Sequence, residues 1–142
     1  MSVFVVDASV VIKWFVPELD SDAAQRLLAR PHRYCAPDLL WAETANTIWK
    51  KVRRGDLTPV QGRQLVKDIG RSAVEAVPSR LLADDAYALA LASDRTAYDC
   101  LYVALAVRLH TQMLTADERL VAGLARWPEL ATHVAAIGSF SG

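Results

Sequence analysis

The sequence predicts a single α/β domain built on a mainly parallel sheet of four to five short strands. Three observations lead there. Short β-branched apolar runs such as Val3–Val6 alternate with longer stretches whose apolar residues recur at helical spacing. The 142 residues are 53% hydrophobic, enough for one sizeable core and too few for two. No internal repeat, low-complexity tract or linker divides the chain.

The elements follow in order. Val3–Val6 reads as a strand buried on both faces. Asp7-Ala8-Ser9 then opens a helix running to about Val16, where Pro17 stops it. A second helix is expected over 20–29, with Ala23, Leu27 and Leu28 as its apolar stripe and Pro31 closing it. A short strand at 34–36 leads into Pro37-Asp38, a good helix start. Leu40, Trp41, Thr44, Ala45, Ile48, Trp49 and Val52 keep helical spacing until Gly55. Thr58-Pro59 begins a further helix that carries Leu65 and Ile69. A strand is expected at 73–77, helices at 80–93 and 98–110, and a strand at 112–115. A helix at 117–125 and a last strand at 133–137 complete the domain, which spans 1–137. The Gly/Ser-rich end, 138–142, reads as a loose tail.

Charge and cysteine content narrow the functional classes. Lys+Arg and Asp+Glu balance at 16 each, so any nucleic-acid contact must come from a local patch rather than from net charge. Cys35 and Cys100 stand far apart and outside any CxxC spacing, which leaves no disulfide framework or zinc motif. Both read as small buried hydrophobes. The N-terminus lacks a basic stretch followed by a long apolar one, and no segment approaches the roughly 18 apolar residues a spanning helix needs. A soluble, cytoplasmic protein with no membrane partner is expected.

Four carboxylates lie beside segments that read as interior: Asp7 after Val5-Val6, Glu43 after Leu40-Trp41-Ala42, Asp99 before Cys100-Leu101-Tyr102, and Asp117 after Leu114-Thr115-Ala116. Acids are rarely buried unless paired or bound to a cation, and none of these has an obvious Lys or Arg at helical spacing. If the fold gathers them, a divalent cation relieves their repulsion. Asp7 and Asp117 fall at C-terminal strand ends, the edge where open α/β sheets bind ligands. Oxygen ligands of this kind suit Mg²⁺ or Mn²⁺. Each acid also has an ordinary role open to it. Asp7 and Asp117 can cap helices, Asp99 can answer Thr96 in a capping box, and Glu43 can simply face solvent. His32, His110 and His133 are isolated, so neither a zinc site nor a Ser-His-Asp set can be nominated.

The motifs that carry these acids are similar to those of the PIN-domain ribonucleases, specifically the VapC-type toxins. Val5-Val6-Asp7-Ala8-Ser9-Val10-Val11-Ile12-Lys13-Trp14 resembles that family's first motif, and Pro37-Asp38-Leu39-Leu40-Trp41-Ala42-Glu43-Thr44-Ala45-Asn46 its second. Tyr98-Asp99-Cys100-Leu101-Tyr102-Val103-Ala104-Leu105-Ala106 resembles the third, and Leu114-Thr115-Ala116-Asp117-Glu118-Arg119-Leu120 the fourth. The four occur in order over nearly the whole chain. The resemblance implies a three-layer α/β/α domain and a Mg²⁺- or Mn²⁺-dependent endoribonuclease acting through metal-activated water. It implies Asp7, Glu43, Asp99 and Asp117 as catalytic residues, with Asp7, Asp99 and Asp117 as metal ligands and Ser9 and Thr115 in support. It also implies an RNA substrate, a small cognate antitoxin and a homodimer.

RNA needs cations as well. Lys50, Lys51, Arg53 and Arg54 form the densest basic run, and Lys13 lies in the helix after Asp7; these are the candidate RNA or antitoxin contacts. Cations at a helix C-terminus also commonly just solvate it. Trp14, Trp41 and Trp49 sit at helical spacing beside Leu and Ile and read as core or interface residues, and Trp127 as packing. Two other readings stay open: a PIN-like module that binds without cutting, and another Mg²⁺-dependent phosphoryl-transfer enzyme with Asp7 as nucleophile. The second commonly wants an acid two residues on, where this chain has Ser9.

Overall fold

β1 (Val3–Val6) consists of three valines and a phenylalanine, and Val5 and Val6 are fully buried. Such side chains fit a pleated surface covered on both faces. The computed structural model describes residues 2–141 and places this strand at the centre of a five-stranded sheet. Met1 and Gly142, the outermost residues of the expected domain and tail, lie outside the described residues. With β2 (Arg33–Pro37), β3 (Glu75–Val77), β4 (Met113–Thr115) and β5 (Val134–Ala136), the order is β3-β2-β1-β4-β5, every pair parallel. Val6 pairs with Leu114, so the C-terminal ends of β1 and β4 lie side by side. That register sets the position of everything that follows.

Parallel strands need crossovers, and helices supply them. α1 (Ala8–Phe15) packs against α2 (Ser21–Leu28), α3 (Leu39–Arg53) and α4 (Pro59–Gly70). α6 (Ala97–Arg108) lies against β1 and β2 and is covered by α5 (Ala83–Ser93). Its seven residues from Cys100 to Ala106 are all buried, because one face meets the sheet and the other meets α5. α7 (Glu118–Leu124) and α8 (Pro128–Ala131) lead to β5. The chain is thus a parallel sheet flanked by helices, as its alternating pattern predicts. Cys35 and Cys100 are free and buried. Among the described residues no helix is long and apolar enough to cross a membrane.

The differences from expectation lie at element ends. The helix expected from Arg80 starts at Ala83, and a single 3-10 turn, Ser79–Leu81, precedes it. Asp38 explains this turn: its Oδ1 accepts the Ser79 N–H at 3.0 Å, while Leu39 N–H donates to Ser79 Oγ at 3.2 Å. α6 stops at Arg108, two residues early, with His110 in the left-handed region (φ 53°). The short α8, with Pro128 in its first turn, has too few residues to show a period. The tail is not entirely loose, since Phe140 sets its ring edge-on to Phe4 with centroids 5.2 Å apart.

Candidate functional site

Asp7 follows β1 directly and caps α1, its Oδ1 accepting the Val10 N–H at 3.2 Å. Ser9 Oγ donates to the same oxygen at 2.5 Å, and Thr115 Oγ1 donates to Oδ2 at 2.5 Å. Both hydroxyls are held in turn: Ala116 N–H donates to Ser9 Oγ and Asp117 N–H to Thr115 Oγ1, each at 3.0 Å. The β1–β4 pairing makes this cradle possible, joining residues 108 apart in sequence. Asp7 is only 9% exposed. Burial pushes its carboxyl up to about 6, against the hydrogen bonds from Ser9, Thr115 and Val10 that favour the anion; the charge of Glu43 adds to the rise.

Glu43 comes to the same edge on α3 and is half-buried. Tyr102, on α6, donates its hydroxyl to Glu43 Oε1 at 2.5 Å. Burial raises the Glu43 carboxyl above its usual range, and Asp99 adds to this while the Tyr102 bond opposes it. The Tyr102 hydroxyl is itself driven far up, first by burial and then by Glu43, so it stays a donor. Asp99 lies three residues before Tyr102 on the same helical face. Thr96 caps α6 by accepting the Asp99 N–H at 3.1 Å. Burial raises the Asp99 carboxyl and Asp117 raises it further, while Thr96 and the Arg95 charge pull the other way. Asp117 caps α7 through Leu120 N–H at 3.1 Å and remains exposed to solvent.

The four acids therefore share one edge, each close enough to its neighbour for repulsion to register. Among the described residues, however, no three His, Cys, Asp or Glu side chains form a closed metal-binding group. The arrangement is an open row of oxygen donors. That still fits a hard divalent cation, which keeps several waters and is commonly held by one or two carboxylates plus substrate phosphate. The buried Asp7 carboxyl, raised by desolvation and by the neighbouring Glu43, is the observation that calls for positive charge there.

The PIN-domain family model matches residues 4–123, a span that contains all four acids. The chain belongs to the PIN-domain family. It is 34% identical over 130 residues to Ribonuclease VapC3 of Pyrobaculum aerophilum, covering 90% of this chain and 97% of that protein. A second Pyrobaculum aerophilum protein of known crystal structure superposes with a TM-score of 0.69 at 20% identity, over 98% of this chain and 94% of the other. A toxin–antitoxin complex from Klebsiella pneumoniae matches with a TM-score of 0.65 at 16% identity, covering 94% of this chain and 96% of that one.

The candidate cations of this PIN domain are dispersed. Lys13 is buried and pairs with Glu18 at 3.1 Å, and Lys51 pairs with the same carboxylate at 2.7 Å. Burial works against the Glu18 anion, but the Lys51 and Lys13 bonds outweigh it and hold the carboxyl below its usual range. Arg54 pairs with Asp56 at 3.2 Å, and Arg53 lies over the Trp49 ring at 5.1 Å. Lys50 is exposed. Two residues at the site escaped the sequence reading. Tyr102 could have been found from its three-residue spacing to Asp99. Arg95 precedes the N-cap Thr96, outside the helix, so helical spacing from Asp99 did not reach it.

Proposed function

We propose that this PIN domain is a Mg²⁺- or Mn²⁺-dependent endoribonuclease and the toxin of a toxin–antitoxin pair. The observation that carries the reading is Asp7: a buried carboxylate at the C-terminal edge of a parallel sheet, held by hydrogen bonds from Ser9, Thr115 and Val10, with Glu43 as its charged neighbour rather than a cation partner. The likeness to a protein named Ribonuclease VapC3, and the fold shared with a toxin–antitoxin complex, support it.

Asp7, Asp99 and Asp117 would hold the metal. A divalent cation bound there supplies polarisation of a phosphoryl oxygen and a water acidified toward neutrality. The chain's own residues prepare for this. Ser9 and Thr115 fix both Asp7 oxygens, so the ligand needs no reorientation. Tyr102 fixes one oxygen of Glu43, and the raised basicity of that carboxylate suits it to take the proton of an attacking water.

We assign antitoxin docking to the groove of about 380 Å³ between α3 and α4. Ile48, Val52 and Val66 give the groove apolar walls, while Arg63 and Lys67 offer charge to an acidic, amphipathic chain. Lys50 and Arg53 are the cations of the basic run we assign to RNA or antitoxin contact, since Glu18 engages Lys13 and Lys51. For the homodimer we assign α5 and the start of α6, where Tyr87, Leu91 and Tyr98 are more than half exposed.

Mapping cleaved RNA ends after expression of wild type beside Asp7→Asn tests the nuclease reading. New ends are expected with wild type only. Equal cleavage by a folded Asp7→Asn protein would refute it, and a protein that binds RNA with no new ends in either case would instead be a binding module.

A further inference from the structure

Four carboxylates make a poor landing site for a polyanion. Even with one divalent cation bound, the edge keeps net negative charge, and a phosphodiester backbone approaching it needs a further cation. Lys13 and Lys51 are held by Glu18. Arg95 directly precedes Thr96, whose side chain caps the helix by accepting the Asp99 N–H, and its charge opposes the rise of the Asp99 carboxyl.

The chain positions Arg95 by several independent features. α5 ends at Ser93, and Asp94 turns the backbone through the left-handed region (φ 57°). The Arg95 N–H donates to Ser93 Oγ at 3.4 Å, and Thr96 then caps α6. The guanidinium lies against α7 at Gly123: a Cβ built there would stand 2.7 Å from Cζ and 2.9 Å from Nη1. Glycine weakens a helix interior relative to alanine, so this close approach is made at the expense of local helix stability. Among the described residues Arg95 makes no ion pair, and its buried Nε has no hydrogen-bond partner.

We infer that Arg95 is a substrate-binding residue of the acid edge, contacting a phosphate of single-stranded RNA beside the scissile bond. The inference rests on the nuclease reading above. With Nε buried and no ion pair formed, the two Nη groups are the donors left to meet two phosphate oxygens end-on. Gly123 leaves the space it occupies, and Ser93 with Asp94 fixes where its backbone enters.

The test is steady-state cleavage of a labelled single-stranded RNA with Mg²⁺ across a range of KCl concentrations. Arg95→Gln is expected to raise KM about 10-fold with kcat little changed, the pattern of a lost uniform binding contact. It should also flatten the log–log salt dependence of kcat/KM by about 0.7, the value of one phosphate contact on a single strand. Arg95→Lys should recover much of the salt dependence. Gly123→Ala, which keeps the charge and improves the helix, should raise KM by displacing the guanidinium. Arg30→Gln, ahead of β2 at the opposite edge of the sheet, should change none of these.

Wild-type cleavage with KM and salt dependence unchanged in Arg95→Gln would overturn this inference and leave the nuclease reading standing. If Arg95→Gln fails to fold, Gly123→Ala decides: an unchanged KM there overturns the inference. A wild type that cleaves no RNA overturns both.

Discussion

Two regions of this molecule bury charge, and they handle it in opposite ways. Behind α1, Glu18 sits between Lys13 and Lys51 at 3.1 and 2.7 Å, and opposite charges hold each other in place. At the strand edge, Asp7 has hydroxyls and a backbone N–H as partners and the Glu43 carboxylate as its charged neighbour. Burial dominates Asp7 and raises its carboxyl to about 6, whereas two ammonium groups overcome burial at Glu18 and lower it. The first cluster contains its own counter-charges, whereas among the described residues no lysine or arginine forms an ion pair with the acids of the second. Ligands belong where the protein leaves its own charges uncompensated.

Activity separates the regions most strongly. Asp99→Asn is expected to lower RNA cleavage by about 10³-fold, since losing a metal ligand forfeits about 4 kcal/mol of the charge stabilisation the metal supplies. It should also abolish a saturable Mg²⁺ isotherm in calorimetry, while Lys13→Met keeps both. A full isotherm in Asp99→Asn would break the distinction.

The pH dependence of stability comes next. Without metal, the folded state binds a proton at Asp7 more tightly than the unfolded chain, whose carboxyl titrates near 3.8. The stabilisation from that proton is fully present below that pH and is lost as pH rises from about 4 through about 6. The loss approaches about 3 kcal/mol at neutral pH. Urea denaturation should therefore find Asp7→Asn more stable than metal-free wild type at pH 7 but not at pH 3.5. Added Mg²⁺ should close the gap at pH 7.

Glu18→Gln should have a purely structural effect, of about 2 kcal/mol by urea denaturation. It leaves two partly buried lysines facing a neutral amide, a smaller loss than breaking a fully buried pair. Metal affinity should not move. The smallest effect is expected for Tyr102→Phe, about 1 kcal/mol, since it removes one hydrogen bond to a carboxylate. A shift in the alkaline or acidic limb of the activity profile, with the fold unchanged, would sharpen the role given to Glu43.

Much of this was legible in the chain because it is local. A β-branched run marked β1 and short apolar stretches between helical patterns marked the other four strands, while Thr58, Thr96 and Asp117 marked helix starts whose cap bonds are present. Asp7 and Asp117 both cap their helices at the edge where the acids stand, so the capping role is compatible with the metal-binding role proposed for them. The 3-10 turn at Ser79–Leu81 was illegible because Asp38, 41 residues earlier, holds it. Lys13 looked available beside Asp7, and only the fold brought Glu18 and Lys51 to it.

By itself the sequence determined the alternation of strand and helix, the fold class, and the ends at which the acids stand, because periodicity and capping act within a few residues. The tertiary structure decided which charge meets which. Thr115 reaches Asp7 across 108 residues and Tyr102 reaches Glu43 across 59. Arg95 settles against the bare backbone of Gly123 rather than on an acid. Those choices depend on strand register and helix packing, which place side chains that no local pattern relates.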